Sequence, residues 1–384
     1  MRGAVFPWRE NNQFELLVDG GRFFPAMLAA IAGAQRQIDI ELYLVEAGSC
    51  AERLLVALTE AAGRGVRVRC LFDGFGTLKM DARLRRELEA AGAEIRLFNP
   101  VRFLHGLHNL HRDHRKIFIV DGHEAFVGGS GATDDFWDPE QSDCNWHEVM
   151  VRIQGPLVDD WLALFERQWE AVRRRRAWKP RARRGRERPP PPPVAQEGQG
   201  RVAYADARQH RDILQALIRA LVGGRERIWF ATPYFLPTWR VRWALRRAAR
   251  RGVDVRLLLT GRHTDNPPVR FAGQRYYRSL LRAGVRIYEY QPRFIHAKMV
   301  LVDHWVSVGS CNFDHWNLRF NLEANVEAVD RGLSQAVAAS FVKDFAQSRE
   351  ITLDFWRSRP WWLRAREWLW GSLDRLVIGV LGRG

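Results

Sequence analysis

Three blocks of the chain alternate apolar and polar positions in one order, and that order occurs twice. RQIDIELYLVEA (36–47) and ERIWFATPYFLP (226–237) each read as a strand. LVALTEAAGRGVRVRCLFDG (55–74) and WALRRAARRGVDVRLLLTG (243–261) each read as an amphipathic helix, a glycine stop at Gly65 or Gly252, then an apolar strand. LRRELEAAGAEIRLFNP (84–100) and YYRSLLRAGVRIYEYQP (276–292) repeat the sequence of helix, glycine and strand. That order is the grammar of βαβ units, so the pattern predicts an α/β protein made of two similar halves, each a mixed or parallel sheet flanked by helices. A length of 384 residues suits two such halves with a core apiece.

Periodicity fails between them. RRRRAWKPRARRGRERPPPPP (173–193) joins clustered like charge to a proline run, from which no core can be packed. The predicted division is therefore a first half over 1–172, a linker over 173–200 and a second half over 201–350. The linker reads as an exposed tether or as a polybasic patch for anionic lipid. A last segment, 351–384, interleaves Trp356, Trp361, Trp362, Trp368 and Trp370 with arginine. Indole beside guanidinium suits a membrane headgroup boundary and predicts an in-plane amphipathic anchor; the alternative is a helix docked on the protein's own core.

Charge narrows the partners. The net charge is +16, almost all of it arginine, because lysine occurs only at 79, 116, 179, 298 and 343. Such a surface favours phosphate-bearing partners, either nucleic acid or an anionic membrane. Cys50, Cys70, Cys144 and Cys311 lie far apart with no paired spacing, which predicts a reducing, cytoplasmic setting. The first twenty-odd residues have charges where a signal peptide needs an apolar core, and no long uncharged apolar run follows, so neither export nor a spanning helix is expected.

Each half then ends on the same phrase, HRKIFIVD (114–121) and HAKMVLVD (296–303), both H-x-K-x(4)-D. In an extended run residues two apart face one side, so His114 points with Lys116, and His296 with Lys298. A single histidine on a strand is usually structural, but two at matching points of a duplication, each with a lysine in an arginine-dominated chain, read as chemistry. Brought face to face, they supply a nucleophilic imidazole, a protonated imidazole for the leaving alkoxide and two ammonium groups for the phosphate oxygens; no metal or cofactor is called for. GSCNFD (309–314) follows the second motif, with Ser310 and Asn312 as phosphate donors, while GGSGATDD (128–135) follows the first, with Ser130 and with Gly131 where an amide is expected. His105, His108, His111 and His114 recur every third residue; the glycine among them favours a substrate loop over a metal face.

These paired phrases and the α/β duplication resemble the phospholipase D superfamily. RDHRKIFIVDG (112–122), TPYFLP (232–237), VRIYEYQPRFIHAKMVLVD (285–303) and NLEANVEA (321–328) are similar, more narrowly, to bacterial cardiolipin synthases of the B type. The resemblance implies two phospholipase D-like halves packed as a pseudo-twofold pair with the active site between them. It implies phosphatidyl transfer between phosphatidylglycerol molecules, giving cardiolipin and glycerol, with His114 as nucleophile and His296 as general acid, an assignment that the near-symmetry of the halves leaves reversible. It also implies that Glu148 and Glu323 each orient the histidine of the opposite half, although Glu148 could simply begin a strand. Asp121 and Asp303 complete the motifs and are expected to order the turns that follow. The implied partners are anionic phospholipid and a membrane surface, with no nucleic acid, and the implied place is the cytoplasmic face of the inner membrane. A hydrolase or nuclease of the same superfamily and a non-catalytic membrane scaffold are the rival readings.

Overall fold

The computed structural model describes residues 5–102, 106–138, 145–174, 189–193, 197–206, 210–314, 317–363, 369–370 and 372. The first half contains strands β1 (Gln13–Val18), β2 (Gln37–Leu42), β3 (Arg67–Asp73), β4 (Glu94–Phe98), β5 (Arg112–Asp113), β6 (Ile117–Val120), β7 (Glu124–Gly128) and β8 (Val149–Gln154). Its helices are α1 (Gly20–Gly33), α2 (Ser49–Gly63), α3 (Ala82–Ala90) and α4 (Leu157–Arg173). The second half contains β9 (Gln199–Asp206), β10 (His210–Arg211), β11 (Arg227–Thr232), β12 (Asp254–Thr260), β13 (Arg286–Tyr290), β14 (Met299–Val302), β15 (Trp305–Gly309), β16 (Asn321–Val329) and β17 (Ser348–Ile351). Its helices are α5 (Asp212–Gly223), α6 (Trp239–Arg250), α7 (Pro267–Gln274), α8 (Tyr277–Leu281), α9 (Asn317–Phe320), α10 (Arg331–Ala346) and α11 (Leu353–Ser358).

The duplication is visible in strand order. The first sheet runs β1-β8-β7-β6-β2-β3-β4, and the second carries the same series as β9-β16-β15-β14-β11-β12-β13, with β10 and β17 added at its edges. In each, the strands linked through helices are parallel, as β2 with β3 and β11 with β12, and the hairpin strands are antiparallel. The predicted glycine stops hold: Gly65 and Gly252 both have φ of 88°, a left-handed turn in which a Cβ would be strained.

Helices α1 to α3 pack one apolar cluster on the outer face of the first sheet, and α5, α6 and α8 pack a matching one on the second. The inner faces share a third core, in which Trp161 and Phe165 of α4 and Phe341 of α10 lie among Val127, Val151, Met299 and Val326. One interior thus spans both halves, and β5 crosses over to pair with Asn321 and Leu322 of β16.

Two expectations need adjusting. The linker is shorter than predicted, since α4 runs through Arg173 and β9 begins at Gln199; Pro189 is buried, its carbonyl bound by Arg219. Residues 175–188 and 194–196 lie outside the described ones. Trp356, grouped above with interfacial tryptophans, is instead buried against Tyr277, ring centroids 4.8 Å apart, under the guanidinium of Arg359. Trp361 and Trp362 are 77% and 52% exposed, while Trp368 and residues 373–384 lie outside the described part. Cys50, Cys70 and Cys311 are buried free thiols, and Cys144 is not among the described residues.

Candidate active site

Both motifs lead into a short hairpin strand, β6 or β14, whose four residues are all buried. The aspartates that close the motifs sit in the turn, both with φ of 52°. Asp121 accepts from the backbone N–H groups of Gln35, Arg36 and Gln37 at 2.9, 2.7 and 2.8 Å, and Asp303 does the same for Arg225, Glu226 and Arg227 at 3.0, 2.9 and 3.1 Å. Each latches its hairpin to the neighbouring β2 or β11. Their contacts are to backbone groups, with the motif strand between them and the histidine.

His114 and Lys116, and likewise His296 and Lys298, precede their strands rather than lying within them, and the backbone N–H groups of the histidines bond to the other half. His114 N–H donates to the carbonyl of Leu322 at 3.0 Å; His296 and Ala297 N–H both donate to the carbonyl of His147, at 2.7 and 3.1 Å. Backbone pairing across the halves therefore sets each histidine beside the glutamate strand of the opposite half.

The side chains follow. His114 Nδ1 lies 3.0 and 3.2 Å from the two carboxylate oxygens of Glu323, and His296 Nδ1 lies 2.5 Å from Glu148 Oε2. Both glutamates are fully buried, and Ser310 donates its hydroxyl to Glu323. A carboxylate at Nδ1 fixes the tautomer with the proton there, so that Nε2 carries the free lone pair. Gly129 has to be glycine: a Cβ there would stand 2.2 Å from Glu148 Oε2.

The lysines differ. Lys298 Nζ bonds to Glu148 at 3.1 Å and lies 2.7 and 3.1 Å from Nδ1 and Nε2 of His296. Lys298 also donates to the His296 carbonyl, as Lys116 Nζ does to the His114 carbonyl at 2.6 Å, but Lys116 sits 5.3 Å over the ring of Tyr43, which itself packs 4.8 Å from His114. Phe136 and Trp146 each lie 5.2 Å from His296, so that imidazole has an aromatic wall.

Burial disfavours the charged form of every cation here. It pushes Lys116 down to about 7, with Glu323 opposing and Lys298 adding to the fall. Burial also lowers Lys298, His114 and His296, the last further depressed by the Lys298 ammonium. Glu148 stays below its usual range because Lys298 and His296 outweigh its burial. Lys298 acts electrostatically on His114, and Lys116 on His296, so the two motifs lie within range of each other's charges.

The turn residues are less symmetric. Hairpin register makes Gly129 the counterpart of Ser310 and Gly131 that of Asn312. Ser130 matches Cys311, and its buried hydroxyl donates to the Gly131 carbonyl at 2.9 Å. Asn312 is buried, and its side-chain oxygen has no hydrogen-bond partner among the described residues. A Cβ at Gly131 would meet Leu44 at 2.8 Å, which is why no amide occupies that place.

Of the histidine run, His105 lies outside the described residues; His108 belongs to a short 3-10 turn, Gly106–Leu110, and His111 Nδ1 lies 3.1 Å from the Phe320 carbonyl. Among the described residues no group of three ligating side chains is arranged for a metal. Sequence reasoning missed Tyr43, the aromatic wall and His147, because their roles depend on contacts between distant segments.

Known proteins are similar to this chain. A family profile described as "Cardiolipin synthase, PLD-like domain" matches residues 27–169 and 210–345. Cardiolipin synthase B of Salmonella typhi is 35% identical over 364 residues, 92% of this chain and 86% of that one. Cardiolipin synthase of Geobacillus kaustophilus is 32% identical over 376 residues, 96% of this chain and 72% of that one. Among solved structures, phosphatidylserine synthase of Haemophilus influenzae Rd KW20 superposes with a TM-score of 0.76, covering 98% of this chain and 96% of that one at 12% identity, a likeness of fold. With identity at this level over almost its whole length and the profile falling on both halves, the chain belongs to the PLD-like cardiolipin synthase family and is a phosphatidyltransferase.

Proposed function

We propose that the chain joins two phosphatidylglycerol molecules into cardiolipin and glycerol through a phosphohistidine. The observation that carries this reading is the exchange of carboxylates: each imidazole is held at Nδ1 by a glutamate of the other half, which leaves both Nε2 atoms free of a carboxylate, that of His296 with the Lys298 ammonium 3.1 Å away. Attack by one Nε2 forms a P–N bond as the P–O bond to the headgroup glycerol breaks, and the other imidazole, protonated, supplies the proton to the departing alkoxide. That second imidazole then takes the proton from a hydroxyl of another phosphatidylglycerol, whose oxygen displaces the histidine. The lysines balance the phosphate oxygens, and the arriving anion raises the cations' affinity for protons.

The contact between Lys298 and His296 favours one order of roles. An ammonium touching an imidazole disfavours a second positive charge on that ring, so His296 starts neutral and attacks phosphorus. His114, which Lys116 meets at the carbonyl while its ring faces Glu323 and Tyr43, takes up the proton as the anion arrives. This order reverses the one that the family resemblance implied. Asn312 lines the phosphate from the second half, whereas Ser310 spends its hydroxyl on Glu323 and Ser130 faces its own turn.

The same reading places the enzyme at the cytoplasmic face of the inner membrane as a peripheral protein. Support comes from Trp239, 63% exposed, and Trp243 one turn on, paired with Arg240 and Arg247. No helix among the described residues is long and apolar enough to cross a membrane.

Rapid denaturant quenching of the purified chain on phosphatidylglycerol vesicles at mildly alkaline pH, where a P–N bond survives, followed by peptide mass analysis without acid exposure, tests the chemistry. A phosphatidyl group on the His296 peptide, with cardiolipin and glycerol released in equal amounts, is expected. His296→Ala should abolish the adduct, whereas label on His114 would reverse the roles, and phosphatidic acid as sole product would make the enzyme a hydrolase.

A further inference from the structure

Behind the catalytic pair lies a cleft of about 510 Å³ between the halves, lined by Asp19, His147, Tyr290, Arg293, Lys343 and Asp344 together with apolar side chains. His147 is at its base and is buried. Its neighbour Glu148 turns to His296, while the His147 ring turns the other way. Nδ1 lies 2.7 Å from Asp19 of the first half, and Nε2 lies 3.3 Å from Asp344 on α10 of the second. An imidazole can satisfy carboxylates at both nitrogens only by donating from both, that is, as imidazolium. The backbone of the same residue accepts from His296 and Ala297, and its own N–H donates to the Phe294 carbonyl at 2.9 Å.

We infer that His147 is a positioning residue, a cationic pin between the two halves that holds Glu148 and His296 in register for phosphoryl transfer. The inference builds on the two-histidine reading above. Neither the motif nor its glutamates require a charge at this place. The pin ties one carboxylate from each half to the peptide on which His296 hangs, so releasing it loosens the 2.5 Å contact of Glu148 with His296. The groups that face the ring are Asp19 from the turn before α1, Asp344 and Lys343 from α10, Tyr290 stacked at 5.2 Å, and Arg293, which bonds to Asp19. Although burial lowers it, bonding to Asp19 and Asp344 raises His147 overall to about 9. A folded value above the unfolded one means that the pin stabilises fully only below the ordinary histidine value of 6.5, and that this contribution falls as pH rises from there and is lost through about 9.

The test reads ring nitrogens of histidine-labelled full-length chain by NMR, alongside turnover of bis(p-nitrophenyl) phosphate, a soluble diester. Both nitrogens of His147 should stay protonated at pH 7.5, and the His296 resonances should move with the titration of His147 near pH 9. His147→Gln and the isosteric Asp344→Asn, each checked for native circular dichroism, should lower kcat about tenfold with KM within twofold. A singly protonated His147 at pH 7.5, His296 resonances indifferent to its titration, or folded variants with wild-type kcat would overturn the inference. The spectra require no turnover, so a chain that made no cardiolipin would sink the lipid reading and leave the pin to be judged on its own data.

Discussion

At the scale of single residues, the site is a cluster of cations that burial has weakened and that an anion restores. Lys116 makes this measurable. Its ammonium is held down to about 7 in the free enzyme, so the charge is present below that pH and lost above it. A bound diester favours the charged form, which moves the titration upward in the complex. We expect kcat/KM for a soluble diester to fall as pH rises through about 7 while kcat holds to higher pH, and Lys116→Met to remove that limb from a low, flat profile. A pH series of initial rates decides it; coincident limbs for kcat and kcat/KM would contradict it. The histidines, lysines and motif aspartates were legible in the sequence because the chain writes them twice. Glu148 and Glu323 needed the family resemblance, since nothing local marks a carboxylate whose partner lies 148 or 209 residues away. His147 was illegible for the same reason: its partners are 128 and 197 residues distant, and a histidine before a glutamate has no local signature.

At the scale of elements, the two halves share strand order but differ beneath their motifs. Glu41, Asp113 and Arg115 are buried together under the first, Arg115 lying 3.4 Å from Glu41. Register places Ala231, Ile295 and Ala297 at the equivalent points under the second, all fully buried. Burial pushes both carboxyls up, Glu41 well above its ordinary value. Removing Arg115 alone strands them, so Arg115→Ala should cost about 3–5 kcal/mol in denaturant unfolding. The combined Glu41→Ala, Asp113→Ile, Arg115→Ala variant, which copies the apolar trio, should cost less than that single change. A triple variant weaker than the single one would mean that the charged cluster is wanted for itself. Helix-glycine-strand units were legible from periodicity and from the left-handed turns that glycine permits. Strand β1 was not, because its hydrogen-bond partner β8 lies more than a hundred residues on and its own burial alternates only weakly.

At the scale of the whole molecule, surface chemistry has to bring a fold whose described residues include no membrane-spanning helix to a lipid substrate. Trp239 and Trp243 lie four residues apart on α6, hence on one face, each beside an arginine. Replacing both with alanine should weaken binding to anionic vesicles roughly tenfold in a flotation assay and leave soluble-diester turnover unchanged. Undiminished flotation would move the contact elsewhere. Net charge pointed to phosphate-bearing partners but could not say where they bind, and Trp356 belonged to a tryptophan-rich tail in sequence yet lies in the core, because Tyr277 claims it from another segment.

The crossing of glutamates has a consequence for how the duplication is to be understood. Sequence repetition divides this protein into a front copy and a back copy, but the side-chain pairs divide it diagonally: His114 bonds to Glu323 and His296 to Glu148. On the proposed mechanism neither copy owns a finished reagent, and an interlock of this kind would tie catalysis to the mating of the copies. A lone repeat of this design would gain its chemistry only by embracing a twin.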